Sequence, residues 1–293
     1  MNDVILVVES GATKTDWRAV SAVTSPVDVR TAGMNLATMS EDSVRAIVEE
    51  AAAAFSQAGV SDNVSEIHYY AAGLIVSGEG GVPPQATALD KVLRTCFPKA
   101  CIEYASDLLD AARAVCGHRP GIAAILGTGS NSCLYDGERI VKNVRSAGFI
   151  LGDEGGGASL GRMFMADFLK GLVPEEVSKE FAADFKVDYM TVVGNVYHGT
   201  APSKYLGSFA PWIMERYDRS EYIKDLADNN FRSFIERCLL QYDIKSHPVG
   251  VVGGFGYAHR AVLLKVAEPY GIKFSTIVPA PIESLVDYHL GKN

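Results

Sequence analysis

Alternation of apolar and polar residues predicts that the chain opens with a hairpin of two strands. Five consecutive apolar residues, Val4–Val8, form a run short enough for a buried strand, and Glu9 interrupts it with a charge. The segment Thr15–Val20 alternates well enough to be the return strand. The turn between them contains Gly11, which tolerates backbone angles that other residues avoid.

The elements that follow predict an α/β domain. Ser40 is placed to cap a helix that runs to Ala58, where Gly59 would stop it. The other segments expected here are strands Val27–Ala32, Glu66–Ala72 and Cys101–Ala105, a helix from Pro83-Pro84 to about Phe97, and a helix Leu108–Cys116 that Ser106-Asp107 opens. The order βββαβαβα is typical of an α/β domain, and the opening hairpin makes its sheet mixed.

The second half repeats this start after a candidate linker at Gly117–Gly121. An apolar strand, Ile122–Leu126, enters the turn Gly127–Ser132, and Cys133–Tyr135 returns. The match of VVESGATKTDW to AILGTGSNSCLY indicates either an internal duplication or chance, and two related halves facing each other would form a cleft with a turn on each wall. Later segments are an Asp136-Gly137 turn, a helix to about Leu169 after the glycine-rich stretch Ser146–Gly161, several helices over Glu175–Cys238, a longest helix Glu221–Tyr242, strands Pro248–Val252 and Lys273–Ile277, a helix to Glu268 and a final helix Ile282–Leu290.

Length and composition narrow the class of protein. A chain of 293 residues favours two domains, and 48% apolar with 21% charged residues describes a soluble globular protein. The net charge of −8 argues against a nucleic-acid surface, and no segment has the length of a membrane span or the basic flank of a signal peptide. Five cysteines at irregular spacing favour free thiols in a reducing cytoplasm over zinc or disulfides.

The first turn carries the kinds of group that bind phosphate. A tight turn after a strand can aim backbone N–H groups, the Thr13 hydroxyl and the Lys14 ammonium at one small volume. Glu9 beside it is suited to a hydrated magnesium ion. No GxxxxGK[ST] motif is present and no helix follows, so the turn is not a Walker P-loop. The alternative is an ordinary hairpin with a glycine turn.

Three glycine turns follow apolar strands, and this shared placement favours a ligand site at strand ends. They are Ser10–Thr13, Gly127–Ser130 and Gly253–Gly256. Ligands collect at such strand ends in open α/β sheets, and the third turn opens a helix whose free N–H groups suit an anion or a nucleotide. The six histidines form no HExxH pair and no GxSxG elbow exists, which disfavours zinc protease and serine hydrolase chemistry.

Polar residues beside strands and glycines are candidate substrate ligands. Asp107 follows a strand and begins a helix, so it is a helix cap, a base that accepts a proton from a substrate hydroxyl, or both. Asp153-Glu154 lies among glycines and Asn35 lies in a loop after a strand. Each of these is either a solvated loop residue or a partner for sugar hydroxyls, which both donate and accept hydrogen bonds.

In their order along the chain, ESGATKTD, Asp107, LGTGSNS, GDEGGG and VVGGFG resemble the motifs of the N-acetylglucosamine kinase / BadF-BadG-BcrA-BcrD ATPase family. This family belongs to the superfamily of actin-like sugar kinases and heat-shock ATPases, and the resemblance covers essentially the whole chain. It implies an α/β fold of two ribonuclease H-like (actin-like ATPase) domains with mixed sheets, which close on ATP, Mg²⁺ and a sugar in an interdomain cleft. The implied domains are residues 1–117, with the C-terminal helix at 281–293 as a candidate addition, and residues 118–280 with a helical insertion.

The resemblance also implies roles for individual residues. Asp107 matches the catalytic base and a sugar ligand, and Glu9 would hold the metal. The residues implied to bind ATP are Gly11, Thr13, Lys14, Thr128, Gly129, Ser208, Gly253 and Gly254. Those implied to bind the sugar, besides Asp107, are Asn35, Ser146, Ala147, Gly148 and Asp153. Ala147 stands where the vertebrate-type kinases carry Trp, which leaves the exact sugar open.

The expected function is therefore an ATP-dependent kinase that phosphorylates N-acetylglucosamine or a related hexosamine at the 6-hydroxyl. Its partner would be a small-molecule sugar, with no nucleic acid and no membrane, and the family leads us to expect a homodimer. One alternative is an ATPase that activates a redox partner, but such relatives carry Cys in a CxAGTG-type turn where this chain has Leu126. The other is a sugar sensor without catalysis, against which the intact Asp107 weighs.

Overall fold

The computed structural model describes residues 3–11, 14–21, 25–34, 36, 39–74 and 81–292. The chain divides into two compact units, the first formed by residues 1–118 with 281–293 and the second by residues 119–280. Each unit contains a mixed sheet of five strands. No helix in the described part of the chain combines the length and the apolar character that crossing a lipid bilayer requires.

The strands and helices are as follows. The strands are β1 Val4–Ser10, β2 Lys14–Val20, β3 Val27–Ala32, β4 Val64–Ala71, β5 Cys101–Ser106, β6 Gly121–Leu126, β7 Ser130–Tyr135, β8 Ile140–Val144, β9 Val249–Val252 and β10 Phe274–Val278. The helices are α1 Glu41–Gln57, α2 Thr87–Cys96, α3 Asp107–Cys116, α4 Gly148–Leu151, α5 Gly157–Leu169, α6 Glu175–Phe185, α7 Tyr189–Tyr197, α8 Pro202–Gly207, α9 Ala210–Met214, α10 Glu221–Arg237, α11 Gly254–Ala258, α12 Arg260–Ala267 and α13 Ile282–His289.

The sheet of the first unit is centred on β1. Its order is β3-β2-β1-β4-β5, in which β1 pairs antiparallel with β2 and parallel with β4, and β4 pairs parallel with β5. The strand extends beyond the apolar run to Ser10, because Glu9 and Ser10 still pair with Asp16 and Thr15 of β2. Apolar side chains of β1, including Leu6 and Val8, are fully buried in a core that α1 and α2 complete. The predicted hairpin and mixed sheet are confirmed.

The first helix begins and ends where its sequence signals place it. The Ser40 side chain accepts a hydrogen bond from the Ser43 N–H at 3.3 Å, which satisfies a donor that the helix itself leaves free. After the helix, Gly59 has φ +74°, a conformation that costs a residue with a Cβ more than it costs glycine. The predicted cap and stop of α1 are confirmed.

The start of α3 differs from one expectation. Ser106 is the N-cap, since its side chain accepts from the Leu109 N–H at 3.2 Å, and Asp107 is the first residue inside the helix. The prediction that Asp107 itself caps the helix is therefore wrong. The shorter serine side chain can turn back to the N–H group of the third helical residue, and the Asp107 carboxylate lies instead by the N–H groups of Asp107 and Leu108.

The last helix, α13, packs in the first unit. The Tyr70 hydroxyl lies 2.8 Å from Nε2 of His289 and accepts a hydrogen bond from Arg113 at 2.7 Å. The His289 ring also stacks on His68, with ring centroids 3.6 Å apart. Burial, with a contribution from the Arg113 charge, lowers the pKa of His289 to about 3. The helix is thus held to the first sheet by a neutral imidazole.

The sheet of the second unit has the same topology as that of the first. Its order is β10-β9-β6-β7-β8, with β6 antiparallel to β7 and parallel to β9. The two halves therefore begin alike, as the short internal match indicated. Two details were wrong: the return strand starts at Ser130 rather than Cys133, because Ser130 still pairs with Leu126, and the partner strand β8 was not foreseen.

The helical part of the second unit was correctly predicted in outline. The longest helix ends at Arg237, five residues before the predicted Tyr242, and a short 3₁₀ turn follows it. The helix predicted after β9 is broken at His259 into α11 and α12. The buried apolar residues form two clusters, one among α5 to α10 and one between β6, β9 and α10.

We expect acid to weaken the attachment of α13 through His289. In the folded protein this imidazole stays neutral down to about pH 3, whereas the unfolded chain takes up a proton near the ordinary value of 6.5. The unfolded state binds more protons between these values, so stability falls as the pH drops below about 6.5. Because His289 is only half-buried, the loss between about pH 7.5 and 5.5 should be roughly 1 kcal/mol or less.

Thermal unfolding of His289→Gln at both pH values tests this expectation. Glutamine keeps an acceptor for Tyr70 but does not titrate, so the variant should lose less stability on acidification than the wild type. His198→Gln, at an exposed position, is the matched control and should behave like the wild type. An equal loss in all three proteins would contradict the role of His289.

Candidate functional site

The first turn, between β1 and β2, is closed by a single backbone hydrogen bond. The Gly11 N–H donates to the Lys14 carbonyl at 3.0 Å. Gly11 does not have a positive φ, and a Cβ atom placed on it would meet the Lys14 oxygen at 3.5 Å, an ordinary contact. The turn therefore closes without a positive φ at Gly11, although glycine would tolerate one there. Two implied ligands, Thr13 and Asn35, lie outside the described residues.

The Lys14 ammonium pairs with Asp16 on the adjoining strand. Asp16 is buried and also accepts a hydrogen bond from Arg30 Nε at 2.5 Å. Burial by itself would raise the pKa of Asp16, but the hydrogen bonds from Arg30 and Lys14 outweigh it and hold the pKa below its ordinary value. Asp16 therefore stays ionised with two cationic partners, of which Lys14 is the more buried.

Two candidate carboxylates lie at the same edge of the first sheet. Glu9 is near the end of β1 and Asp107 follows β5, and both strands run parallel to β4. Burial raises the pKa of Glu9 despite the nearby Lys14 charge, with further contributions from Asp16 and Asp107. Burial also raises the pKa of Asp107, although the N–H groups of Leu108 and of Asp107 itself favour its charged form.

A third carboxyl group, that of Asp110, was missed by the sequence analysis. Asp110 is 3% exposed, and its Oδ1 has no hydrogen-bond partner among the described residues. Burial, together with the charges of Glu9 and Asp107, raises its pKa well above the ordinary value and so favours its protonated form. The signal was available, because residues three apart on a helix share a face and Asp110 follows Asp107 by three.

The donor set of the first unit suits magnesium held by few protein ligands. Glu9 offers a half-buried carboxylate whose pKa burial and neighbouring acids raise, and a cation would relieve that repulsion. Among the described residues no group of three or more His, Cys, Asp or Glu side chains is arranged to hold a metal. Mg²⁺ needs no such cage, since it keeps several waters and binds one or two carboxylates together with substrate phosphates.

The second turn, Gly127–Ser130, accepts backbone hydrogen bonds from the glycine-rich stretch Ser146–Gly161. The Gly127 and Thr128 carbonyls accept hydrogen bonds from the N–H groups of Gly157 at 2.9 Å and Ala158 at 2.8 Å. The Gly127 N–H donates to the Gly129 carbonyl at 3.0 Å. The N–H groups of Thr128 and Gly129 have no acceptor in the described part of the chain, and the Thr128 side chain is exposed. Such adjacent free N–H groups suit an anion.

Asp153 contacts the second turn. It is 8% exposed, and its Oδ1 accepts a hydrogen bond from the Ser130 N–H at 3.2 Å. A Cβ atom on Gly129 would lie 2.8 Å from Asp153 Oδ2, so this contact requires glycine there. Burial raises the pKa of Asp153, and the hydrogen bond from the Ser130 N–H offsets part of this increase. The carboxylate therefore also supports the turn, a role that the sequence analysis did not foresee.

The other implied nucleotide ligands of the second unit lie around the same turn. Gly253 has φ +131°, and a Cβ atom on it would lie 2.4 Å from the Leu126 carbonyl oxygen. A Cβ atom on Gly207 would meet the Thr128 methyl group at 3.2 Å, which places the adjoining Ser208 near this turn. Gly254 opens α11 and has open space around its Cα. The structure brings these residues together within one unit.

The implied sugar loop is closed by backbone contacts. Ala147 has φ +59°, an uncommon value for a residue with a Cβ, and Gly148 begins α4 with φ +72°. The Ser146 carbonyl accepts from the Asp153 N–H at 3.0 Å. A Cβ atom on Gly152 would lie 1.8 Å from that same carbonyl oxygen. Ser146–Gly148 is thereby fixed to the start of the loop that supports the second turn.

Asn230 is a second residue that the sequence analysis missed. It is 1% exposed on α10, where its Oδ1 accepts from the Gly155 N–H at 3.1 Å and its Nδ2 donates to the Gly156 carbonyl at 3.2 Å. These two hydrogen bonds join the glycine-rich stretch to α10. The signal was an amide on an otherwise apolar helix face, four residues from both Leu226 and Phe234.

Comparison with known proteins finds structural relatives over the whole chain. No protein-family model matches, and no curated protein does. A solved structure from Porphyromonas gingivalis, provisionally named an N-acetylglucosamine kinase, is 34% identical, with 98% of this chain and 99% of that chain covered and a TM-score of 0.88. A protein of the same provisional name from Chromobacterium violaceum is 19% identical over 99% of each chain, with a TM-score of 0.73.

A more distant structure shows how widely the fold is shared. ADP-bound MreB5 of Spiroplasma citri is 9% identical, with 98% of this chain and 95% of that chain covered and a TM-score of 0.56. That likeness concerns the actin-like fold alone. The 34% identity to the Porphyromonas protein over nearly the full length of both chains goes further. This chain belongs to the N-acetylglucosamine kinase family.

Proposed function

We propose that the protein is an ATP-dependent sugar kinase that phosphorylates N-acetylglucosamine or a related hexosamine at the 6-hydroxyl. The observation that carries the proposal is the full-length relation to a provisionally named N-acetylglucosamine kinase. The geometry supports the proposal. The half-buried carboxylate of Asp107 lies at the edge of the first sheet, and the turn Gly127–Ser130, with its free N–H groups, follows a strand of the second sheet.

In this proposal Asp107 is the catalytic base. Its carboxylate accepts the proton of the sugar hydroxyl while the bond from that oxygen to the γ-phosphorus forms. The bond between the γ-phosphorus and the bridging oxygen to the β-phosphorus breaks, and ADP leaves with that oxygen. The proton stays on Asp107 until the product departs. The raised pKa of Asp110, one turn away, disfavours a further negative charge beside Asp107.

The phosphate chain would be bound by the turns of both units. Thr13 and Lys14, with Gly11, would contact it from the first turn, and Thr128 and Gly129 from the second. Lys14 can turn from Asp16 to a phosphate at low cost, since Arg30 keeps Asp16 paired. Glu9 would hold Mg²⁺ through water, and the ion would offset charge on the phosphate oxygens as the phosphoryl group moves.

The remaining site residues would bind the adenosine part of ATP and the sugar. Ser208, Gly253 and Gly254 would line the adenosine side, where the absence of side chains at the two glycines lets a ligand approach the backbone. The sugar would be bound by Asn35, Ser146, Ala147, Gly148 and Asp153, together with Asp107.

A panel of sugars tests the substrate class. We expect ADP release with N-acetylglucosamine to exceed that with glucose, and we expect no turnover with 6-deoxy-N-acetylglucosamine, because it lacks the accepting oxygen. A coupled enzymatic assay measures the ADP released with each sugar, and NMR of the product identifies the carbon that carries the phosphate. Release of ADP that does not depend on any sugar would contradict a kinase and favour an ATPase.

Replacement of the proposed base tests its role. Asp107→Asn keeps the shape of the side chain but cannot accept the proton, so kcat should fall by about 10²–10⁴-fold while the Kd for ATP changes little. Asp62→Asn, at an exposed position, is the control and should retain full activity. Because burial raises the pKa of Asp107, kcat/KM of the wild type should fall on acidification at a pH above the ordinary aspartate range. Full activity of Asp107→Asn would refute the assignment.

Asn230 would act as a positioning residue for the second turn. Its two hydrogen bonds hold Gly155 and Gly156, directly before the N–H groups that bind the turn carbonyls. Asn230→Ala leaves a buried N–H and a buried carbonyl without partners, at a cost of about 1–3 kcal/mol each. We expect the KM for ATP to rise by roughly tenfold or more.

Asn229→Ala is the matched control for this prediction. Asn229 precedes Asn230 on α10 but is exposed, so its replacement should leave the KM for ATP unchanged. Measurement of the KM for ATP and the melting temperature for both variants separates positioning from stability. If Asn230→Ala lowers the melting temperature while the KM for ATP stays at the wild-type value, the positioning role is excluded.

A further inference from the structure

A groove in the second unit has apolar walls and a volume of about 450 Å³. It lies among α4, α5, α7 and α8, and its lining includes Phe149, Ile150, Met165, Leu169, Val192 and Val196. Ligand sites in proteins commonly have this size and are mostly apolar with a few polar groups. The proposed kinase function uses none of these side chains.

One charged side chain, Arg162 on α5, lines this groove. Its Nε atom is buried and has no hydrogen-bond partner among the described residues, and none of the described carboxylates forms an ion pair with it. The Nε atoms of Arg113 and Arg216 also lack a partner, but the guanidinium groups of those two residues pair with Glu103 and Glu180. Arg162 differs because its guanidinium pairs with no described carboxylate. A partly buried guanidinium without an anionic partner is costly, so an anionic group of a ligand that reaches Arg162 from the groove would stabilise the site.

We propose that this groove binds a small amphipathic anion, with a hydrocarbon body against the apolar walls and a carboxylate or phosphate head on Arg162. The planar guanidinium donates two parallel hydrogen bonds to either head group, which is the geometry that makes arginine selective for such anions. The apolar walls contribute free energy in proportion to the hydrocarbon area that leaves water.

The lining excludes a sugar as the occupant. A sugar presents hydroxyl groups around its whole ring, and each needs a donor or an acceptor. Apart from Arg162 the walls are aliphatic and aromatic, with only the Tyr189 and Tyr197 hydroxyls as further polar groups. The protein as a whole carries a net charge of −8, so attraction of an anion must come from Arg162 itself rather than from the overall field.

The mouth of the groove is formed by exposed apolar side chains. Ile150 is 69% exposed, Tyr189 is 63% exposed and Tyr197 is 75% exposed, at positions that border the groove on α4 and α7. Apolar groups so exposed mark a surface that gains free energy when a ligand covers it. A ligand whose body is longer than the buried part of the groove would extend over these side chains.

Calorimetric titration of the full chain with matched probes tests the proposal. The probes are octanoate, octyl phosphate, octanol and acetate, which separate the contributions of the head group and of the hydrocarbon body. We expect octanoate and octyl phosphate to bind at least about tenfold more tightly than octanol, because a charge-assisted hydrogen bond contributes about 1.5–3 kcal/mol. Acetate, which lacks the body, should not bind measurably. The two anions have hydrocarbon chains that differ by one carbon but carry different head groups, so a large difference in affinity distinguishes a carboxylate from a phosphate ligand.

Variants assign the binding to this groove. Arg162→Met keeps the apolar stem and removes the charge, so octanoate should bind it no better than octanol does. Val193→Phe fills the groove and should weaken all the eight-carbon probes. Arg139→Met, in the exposed β7–β8 hairpin, is the control for net charge and should bind like the wild type.

Two results would overturn the proposal. The first is equal affinity of the wild type for octanoate and octanol, or an unchanged preference in Arg162→Met. The second concerns the oligomeric state, measured by sedimentation without probes: if the wild type is a dimer that Val193→Phe dissociates, the groove is an interface between copies of the chain.

Discussion

The arrangement of both candidate sites depends on parallel pairing beside the first strand of each sheet. Parallel strands end at the same edge, so whatever follows them is brought together. In the first unit this pairing places Glu9 and Asp107, nearly 100 residues apart in sequence, on one edge. In the second it places the turn after β6 beside the turn after β9. Parallel strand pairing thus brings together, in each unit, candidate site residues from distant parts of the chain.

Close approach of backbones is the second constraint, and it explains the glycines of the second unit. Gly129, Gly152 and Gly253 each lie where a Cβ atom would come within 3 Å of a neighbouring backbone or carboxylate oxygen. At that distance the neighbouring atom would have to shift, and the hydrogen bonds between the second turn and the glycine-rich stretch would lengthen. The motif glycines therefore serve the packing of chain against chain, and only Gly253 among these three needs glycine for its φ.

The sequence predicted the elements well and the side-chain partnerships poorly. Periodicity and caps were sufficient for α1 and the opening hairpin, because those signals are local. The cap of α3 was assigned to Asp107 rather than Ser106, since either residue type caps helices and only the three-dimensional turn decides. Asp110 and Asn230 were overlooked although their helix spacing was visible, because the partners that give them their importance, Glu9 and the residues Gly155 and Gly156, lie far away in sequence. The roles of Thr13 and Asn35 remain predictions.

The placement of α13 affects how the protein is made. The first unit is discontinuous, because its last helix is encoded after the whole of the second unit. During synthesis the ribosome therefore releases β1–β5 and α1–α3 long before their final partner emerges. Until then α13 does not cover the surface around Tyr70 and Arg113. The nascent chain therefore contains the sequence of the second unit before the last helix of the first unit is available.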